Sequence, residues 1–517
     1  MKVHAALLAD AGPWEELLRQ EGLPFTRMPH PDAGLLEESS VLILARALAP
    51  VEKTAVAGFL RAGGAVLGAA RYLEPLLEGS LHAERVEYIV GDGEEVFGGS
   101  HLIDLGERIE VPPGAGHLRT PSGSYAVRAG DLLDGHCVAL PFDPGALMFD
   151  ARAANKSFHF HTDRLPAERV SLVSKAEVRY LVHRSLEYLH HRRGLPYAHL
   201  WYYPSGDRNL FALRVDTDGA SEDALEELYG LAGESALAMS WFLDVKSHEG
   251  RLRRFAAMSG QELALHCYEH RTHGTCEQNL AEIRKARHLL GGAGIRAEGF
   301  AAPYGEWNPG LGRALEEAGF AYSSEFGYAY DTLPLYPSAY GTSYGTLQVP
   351  IHPVCIGSLM AAGYGSRRMA EYFRTVFGRK LSRNEPLFFY HHPGHRHTEV
   401  LADLAMAAEE AGIRNTTFGA YAAWWGSRGA VSVTVRAEGS RVRSEGRGPA
   451  TVALHVTAPG GTEAFLPLEG SASLEDGSVF SPAVRPEPAP SDIRRIRAFD
   501  PRTALADLYT RIGRRLR

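Results

Sequence analysis

The stretch Leu213–Ser221, LRVDTDGAS, ends a mostly apolar run with two carboxylates, Asp216 and Asp218, separated by one threonine. The residues that lead into it, LFALRV, have the composition of a strand buried in a parallel sheet. Aspartate and glycine are common turn formers, so this stretch alone favours ordinary turn chemistry. Whether the two acids form a chemical site depends on what the rest of the chain places at similar positions.

Strand-like and helix-like segments alternate from residue 200 to about 427. This alternation favours a (β/α) barrel, in which the chemistry lies at the carboxyl ends of the strands. Four polar segments follow predicted strands at such positions: DTDG, HCYEH, APYG and HHPGH. We therefore expect these segments to meet at one mouth of the barrel.

Two histidines and a carboxylate among these segments have the character of a metal site with open positions. His266 and His270 lie four residues apart, a spacing that brings two imidazoles to one side of a helical turn. One aspartate of the pair Asp216 and Asp218 could bind the metal, and the other could remove a proton from water. The segment FFYHHPGH adds His392 as a further candidate.

The order Asp-x-Asp, His-x-x-x-His, Pro-Tyr-Gly and a late His-Pro resembles the polysaccharide deacetylase family over about residues 205–425. The resemblance implies a distorted (β/α)7 barrel and a divalent metal, with zinc expected and cobalt, nickel or manganese as alternatives. It implies that Asp218, His266 and His270 are the metal ligands. The implied activity is hydrolytic removal of an acyl group, most simply N-acetyl, from an amino sugar or glycan precursor.

The resemblance also assigns catalytic roles. It implies that Asp216 is the base, that His392 is the acid that protonates the leaving nitrogen, and that the backbone N–H of Tyr304 holds the oxyanion. Asp331 is expected to supply a carboxylate that supports the acid histidine. Ala301 stands where the family has an arginine that orients the base, so either activity is lost or another cation substitutes.

Two smaller departures from the family concern Thr217, which separates two acids that are usually adjacent, and Cys267, which replaces a hydroxyl residue. The remaining histidines of the late segment, His391, His395 and His397, are interpreted as ordinary packed or surface residues.

Three other functions remain open for this segment. It could hydrolyse a non-sugar amide or a cyclic imide, or it could be an inert glycan-binding barrel. HCYEH also fits a helical zinc-protease signature with Glu269 as the base, but ELALHC before it reads as a strand.

The first 195 residues also alternate strands and helices, which predicts an open parallel sheet covered by helices. Through FLRAGGAVLGAARY this region resembles the class I glutamine amidotransferase-like fold. Catalytic members carry a cysteine on the turn after that strand, whereas here the turn is Gly68-Ala69-Ala70-Arg71. We therefore predict a non-catalytic domain, and His159 and His161 further along are interpreted as packed or surface residues.

The last part of the chain changes character. Residues 430–486 contain short alternating strands between glycine-rich turns, which predicts a small β-sandwich-like domain. Residues 487–517 form a basic amphipathic tail with leucines and isoleucine on one helical stripe. Such a tail could make a peripheral contact with an anionic membrane or dock onto its own protein.

Bulk properties narrow the function classes. With 517 residues the chain exceeds one hydrophobic core, and its net charge of −8 argues against nucleic acid as the main partner. Four scattered cysteines do not form a disulfide framework, and no apolar run is long enough to span a membrane. The N-terminal segment lacks the features of a signal peptide, which predicts a cytoplasmic α/β multidomain protein; its oligomeric state is not predicted.

Overall fold

A computed structural model of the chain describes residues 1–10, 12–91, 96–100 and 102–484, together with Leu505 and Leu508. The described residues form two compact units, each assembled from segments that are distant in sequence. The first unit contains residues 1–149, 173–206 and 426–484. The second unit contains residues 150–172 and 207–425. The domain borders at 195, 427 and 486 stay predictions.

The strands are numbered in chain order. The early strands are β1 (Ala5–Leu8), β2 (Phe25–Met28), β3 (Val41–Leu44), β4 (Ala65–Ala69), β5 (His82–Val90), β6 (Leu102–Val111), β7 (His117–Arg119), β8 (Tyr125–Leu132), β9 (Gly135–Leu140), β10 (Ala153–Phe160), β11 (Asp163–Ser171) and β12 (Tyr197–Leu200). The central strands are β13 (Leu210–Asp216), β14 (Ser240–Asp244), β15 (Glu262–Cys267), β16 (Gly299–Phe300), β17 (Tyr322–Ser323), β18 (Ser338–Ala339), β19 (Thr342–Ser343), β20 (Leu347–Gln348), β21 (Leu387–His391) and β22 (Arg414–Asn415). The late strands are β23 (Ser432–Glu438), β24 (Arg441–Arg447), β25 (Ala453–Thr457), β26 (Thr462–Pro467), β27 (Gly470–Ser473) and β28 (Ser481–Pro482).

The helices are numbered in the same way. The early helices are α1 (Pro13–Glu21), α2 (Ala33–Glu38), α3 (Pro50–Arg61), α4 (Ala70–Leu73), α5 (Pro144–Met148) and α6 (Lys175–Arg192). The central helices are α7 (Glu222–Glu234), α8 (Val245–His248), α9 (Leu252–Ala256), α10 (Cys276–Gly292), α11 (Pro309–Ala318), α12 (Ile356–Ala361), α13 (Ser366–Ser382), α14 (Thr398–Glu410) and α15 (Phe418–Gly429).

The N-terminal sheet is only half parallel. Its nine strands run in the order β2-β1-β3-β4-β9-β8-β7-β5-β6. The pairs from β2 to β9 are parallel, as predicted. The pairs from β9 to β6 are antiparallel, which corrects the expectation of a parallel sheet throughout. The reason is that the described residues of 82–140 contain no helix, and a parallel connection needs a crossover of a dozen or more residues.

The second unit is built on a parallel sheet with the order β20-β17-β16-β15-β14-β13-β21, and β22 pairs with β13. All seven residues of β13 are buried. An interior strand of a curled parallel sheet is covered by helices on its outer face and by the sheet's own curvature on its inner face. This explains why LFALRVD carries almost no polar residue before its terminal aspartate. The fold is therefore a curled parallel sheet of the kind that a (β/α)7 barrel contains.

The C-terminal segment of the first unit contains antiparallel strands in two small sheets, β12-β25-β26-β28 and β23-β24-β27. One strand of the first sheet, β12, comes from residues 197–200, far from the rest in sequence. The predicted tail, 487–517, lies outside the described residues except for Leu505 and Leu508, which are exposed. Among the described residues, none of the helices combines the length and apolar character needed to cross a bilayer.

Glu21, at the end of α1, is the centre of a buried polar network in the first unit. Its carboxylate accepts hydrogen bonds from Tyr197 at 2.8 Å and from Tyr202 at 2.7 Å. It also pairs with Arg179 at 3.1 Å and with His183 at 2.5 Å. Burial alone would raise the pKa of Glu21, but the neighbouring positive groups, led by His183, outweigh it and hold the pKa below its usual range.

Replacing Glu21 by glutamine should destabilise the first unit. The variant removes the carboxylate that pairs with the buried Arg179, and breaking a buried ion pair typically costs about 3–5 kcal/mol. The matched control is Glu38→Gln, because Glu38 pairs with Lys2 at an exposed position. Differential scanning calorimetry should show a clear fall in the first unit's unfolding temperature for E21Q alone. Equal shifts in the two variants would contradict a stabilising role for this network.

Candidate metal centre

The two acids of the opening stretch lie where β13 ends and the chain turns. Asp216 is the last residue of the strand and is buried. Thr217 links the end of β13 to the neighbouring strand β14. Its hydroxyl oxygen accepts a hydrogen bond from the backbone N–H of Asp244 at 2.9 Å. Asp218 has a φ of 30°, a left-handed conformation that is uncommon for an aspartate. The stretch is thus both a turn and the place where two carboxylates enter the site.

Three imidazoles converge on the carboxylate of Asp218. Its Oδ1 lies 3.0 Å from Nε2 of His266, and its Oδ2 lies 3.2 Å from Nε2 of His270. Nε2 of His392 approaches Oδ2 from another strand, also at 3.2 Å. Burial would raise the pKa of Asp218, but the imidazoles, with His266 foremost, hold that pKa below its usual range. The structure therefore brings together all four of these residues that the sequence singled out.

The tautomer of His266 is set by a backbone carbonyl. Nδ1 of His266 donates a hydrogen bond to the carbonyl oxygen of Ala301 at 2.8 Å. This leaves Nε2 with a free lone pair, which is the arrangement that metal-binding histidines use. Position 301, which lacks the arginine side chain of the family, thus contributes through its main chain.

The residues present fit a divalent cation. One ligand atom from each of Asp218, His266 and His270 lies within 4.8 Å of the other two. Oδ1 of Asp218 and Nε2 of both histidines are buried and make no hydrogen bond of good geometry within the described residues. Buried polar atoms are nearly always satisfied, so atoms that face one another without a hydrogen bond indicate a missing partner. One carboxylate and two imidazoles suit zinc and the neighbouring transition metals.

Asp216 is paired with Arg214, which lies two residues earlier on the same strand. Nε of Arg214 donates to Oδ1 at 2.7 Å and a terminal nitrogen donates to Oδ2 at 2.5 Å. The guanidinium is fully buried, lies over the ring of Phe242, and also donates to the carbonyl of Ser324. Burial alone would raise the pKa of Asp216, but Arg214 outweighs it and keeps that pKa lowered.

Arg214 is the functional residue that the sequence reasoning missed. The motif shows that position 301 is alanine and not arginine, but it does not show which other arginine pairs with Asp216. The signal was present, because a charged residue inside a buried strand needs a partner, and residues i and i+2 of a strand share one face. Arg214 and Asp216 meet both conditions, so the carboxylate keeps an arginine partner despite Ala301.

Tyr304 lies at the edge of the site. It occupies a left-handed conformation with a φ of 57°, and its ring packs edge-on against His270 at 4.8 Å between centroids. Its side chain is one of the few large aromatic groups that remain exposed. The role assigned to its backbone N–H stays a prediction.

Two sequence expectations are wrong. Asp331 does not support His392; it pairs with His352 at 3.0 Å and with Lys380 at 2.6 Å in a separate buried network. His266 and His270 do not share a helical turn, because His266 belongs to strand β15 and His270 to the loop after it.

The same loop excludes the helical zinc-protease arrangement that HCYEH resembles. Glu269, the base of that arrangement, is exposed and pairs with Lys246 at 2.8 Å. The imidazoles therefore converge through strand ends and not along a helix.

Glu325 is a buried carboxyl group behind the Arg214–Asp216 pair. One of its oxygens accepts hydrogen bonds from Ser323 at 2.8 Å and Gln348 at 2.9 Å, while the other, Oε1, has no hydrogen-bond partner within the described residues. Burial raises the pKa of Glu325 to about 7, against an ordinary value of 4.5. The group therefore changes charge near neutral pH.

The stability of the second unit should reflect this titration. Because the folded-state pKa of Glu325 is raised, stability is complete below about pH 4.5 and falls as pH rises to about 7. Glu325→Gln removes that loss, worth on the order of 3 kcal/mol. Thermal unfolding should show E325Q stabilised over the parent at pH 8 but not at pH 5. The exposed Glu317→Gln serves as control, and a pH-independent difference for E325Q would contradict the assignment.

Metal content should separate the two aspartates of the opening stretch. Asp218→Asn removes a charged ligand. We therefore expect metal affinity to fall by more than the ~10–100-fold that is typical when a residue hydrogen-bonded to a metal ligand is replaced. Asp216→Asn is the matched control: Asp216 pairs with Arg214, so this variant should keep the cation at the Asp218 site. Equilibrium dialysis with inductively coupled plasma analysis measures both. Equal retention of metal by D216N and D218N would contradict the ligand assignment.

Comparisons with known proteins give similarity in solved structures only. No family model matches the sequence, and no curated protein matches it. A structure from Mycobacterium smegmatis assigned as a polysaccharide deacetylase is 17% identical, with a TM-score of 0.37, and the match covers 44% of this chain and 94% of that one. A family 4 carbohydrate esterase from Streptomyces lividans, in complex with acetate, is 15% identical with a TM-score of 0.30, covering 41% and 93%.

A third similar structure is a family 4 pseudoenzyme from Bacillus anthracis, 15% identical with a TM-score of 0.30, covering 43% of this chain and 68% of that one. Active and inactive proteins are therefore both found at this level of similarity. At such identities and TM-scores the likeness carries nothing about activity, so the function of this chain has to rest on its own site. The structure from Mycobacterium smegmatis bears the polysaccharide deacetylase name that the motif order predicts. The amidotransferase-like resemblance of the N-terminal region stays a prediction.

Proposed function

We propose that the chain is a metal-dependent hydrolase that removes an acyl group, most simply N-acetyl, from an amino sugar or glycan precursor. The observation that carries the proposal is the convergence of three imidazole nitrogens on Asp218 at 3.0–3.2 Å, beside a second carboxylate paired with a buried arginine. A cation site and a separate base within one cleft are the requirements for hydrolysis of an unactivated amide.

Asp218, His266 and His270 would hold the cation. When bound, the cation supplies Lewis-acid polarisation of the acyl oxygen and acidifies water. Asp216 accepts the proton of the attacking water, and its salt bridge to Arg214 orients the carboxylate and keeps it ionised. His392 delivers a proton to the leaving nitrogen, and the backbone N–H of Tyr304 donates to the developing oxyanion.

The Arg214–Asp216 pair supports an active enzyme over an inert glycan-binding barrel. An inert barrel needs no oriented base, whereas this chain buries a full positive charge beside Asp216. Burying an ion pair costs several kcal/mol of desolvation per ion, which only excellent geometry offsets. The exposed ring of Tyr304 beside the site suits a substrate with both apolar and polar faces, such as a sugar.

Removing the acid or the base should abolish most turnover while leaving the cation bound. We expect His392→Ala and Asp216→Asn to lower the release of acetate from N-acetylated chitooligosaccharides by about 10²–10⁴-fold each. His397→Ala is the matched control, because His397 bonds Ser366 and Glu399 outside the site.

Three outcomes would contradict this function. Unchanged acetate release by H392A and D216N in metal-loaded protein would refute the assignment of roles. A parent protein that is metal-loaded but inert towards acetylated sugars, cyclic imides and simple amides would indicate a binding barrel. Turnover of a cyclic imide without acetate release would identify a different hydrolase.

A further inference from the structure

Cys355 lies next to His392, the proposed acid. It precedes α12 and is 4% exposed. Its sulfur and one ring nitrogen from each of His392 and His395 lie within 4.8 Å of one another. A thiol and two imidazoles at this separation are within reach of a single cation after small side-chain rotations.

Two ring nitrogens of this group face the thiol but have no oxygen or nitrogen partner among the described residues. Nδ1 of His392 and Nδ1 of His395 are buried and have no oxygen or nitrogen partner of good hydrogen-bond geometry within the described residues. The ring of His395 also packs directly on Gly357, where a Cβ atom would lie 2.2 Å from its Cε1. Glycine at 357 thus allows the close approach of this imidazole to the start of α12.

The donor atoms of this group also favour a cation. The thiolate is the metal-binding form of cysteine, and thiolate with imidazole selects zinc and similar soft ions.

We propose that Cys355, His392 and His395 form a second cation site, adjacent to the Asp218 site, that takes thiophilic ions such as Zn²⁺ and Cd²⁺. The two sites differ in donor atoms, because the first offers oxygen and nitrogen only and the second offers sulfur. They share His392, whose Nε2 faces Asp218 at 3.2 Å.

Occupation of the second site would regulate the first. An imidazole that holds a cation is not an imidazolium, so His392 could no longer deliver a proton to the leaving nitrogen. A second equivalent of zinc should therefore inhibit an enzyme that the first equivalent activates. This consequence rests on the proposed function, whereas binding at the second site does not.

The binding test uses the full-length, metal-stripped protein titrated with Co²⁺ and, separately, with Cd²⁺. Because the Asp218 site contains no sulfur, a near-ultraviolet sulfur-to-cobalt charge-transfer band reports the second site alone. We expect two equivalents of Cd²⁺ and a cobalt–sulfur band for the parent, and one equivalent without the band for Cys355→Ser. Cys276→Ser is the matched control and should keep both the second equivalent and the band.

Two further variants test whether the loss of binding in C355S is due to misfolding and whether the two sites bind cations separately. His395→Ala changes a half-buried residue and should also lose the second equivalent and the band. Asp218→Asn should keep the band while losing the first equivalent. A single equivalent without a sulfur band in the parent protein, or a band that survives C355S, would overturn the proposal.

Activity separates this proposal from the proposed function. Acetate release is compared at one and at two or more equivalents of zinc within each variant. We expect at least a tenfold loss at the second equivalent in the parent and C276S, and no loss in H395A. Inhibition that persists in H395A would overturn the regulatory consequence. A sulfur band in a protein that releases no acetate would support the second site and count against the deacetylase.

Discussion

The site depends on one constraint, which is that the carboxyl ends of parallel strands meet at one edge of the sheet. The strands β15, β14, β13 and β21 are consecutive neighbours, so His266, Asp218 and His392 arrive together although they are up to 174 residues apart by their numbers, 392 minus 218. Asp218 then leaves the strand in a left-handed turn and faces all three imidazoles. A change of one residue in strand register would turn these side chains away.

Charge compensation within this edge follows from burial. Asp216 and Arg214 are both almost inaccessible to water, and each would be costly there alone. The pair is short in sequence because alternate residues of a strand share a face. Arg214 therefore compensates the charge of Asp216 from within the same strand, and Ala301 contacts His266 through its carbonyl oxygen.

The contacts of Asp331 show how the fold determines the partners of a buried carboxylate. His352 and Lys380 both contact it, and Tyr372 completes the chain of hydrogen bonds through His352. The carboxylate oxygens of Asp331 are therefore paired with His352 and Lys380 and not with His392. His392 instead lies beside Cys355 and His395, and one possible ligand atom from each of these three residues lies within 4.8 Å of the other two.

The sequence by itself predicted the strands β13, β14, β15, β16 and β21 of the second unit and the residue types at their ends, whereas the short strands β17 to β20 and β22 were not predicted. These are local properties, since an apolar strand followed by a turn can be read without knowing its neighbours. The same local reading missed the antiparallel half of the first sheet, although residues 82–90, 96–100 and 102–140, as the structure describes them, contain no helix of the kind that a parallel crossover would need.

Only the tertiary structure decided the partners of the polar groups. Arg214 with Asp216, Asp331 with Lys380, and Cys355 with His392 and His395 depend on strand order and on which side chains packing leaves unsatisfied. Residue spacing carries no information on these pairings beyond a strand or a helical turn. The physical reason is that a buried polar group takes whichever partner the fold places within hydrogen-bonding distance, and that distance is set by contacts between segments remote in sequence.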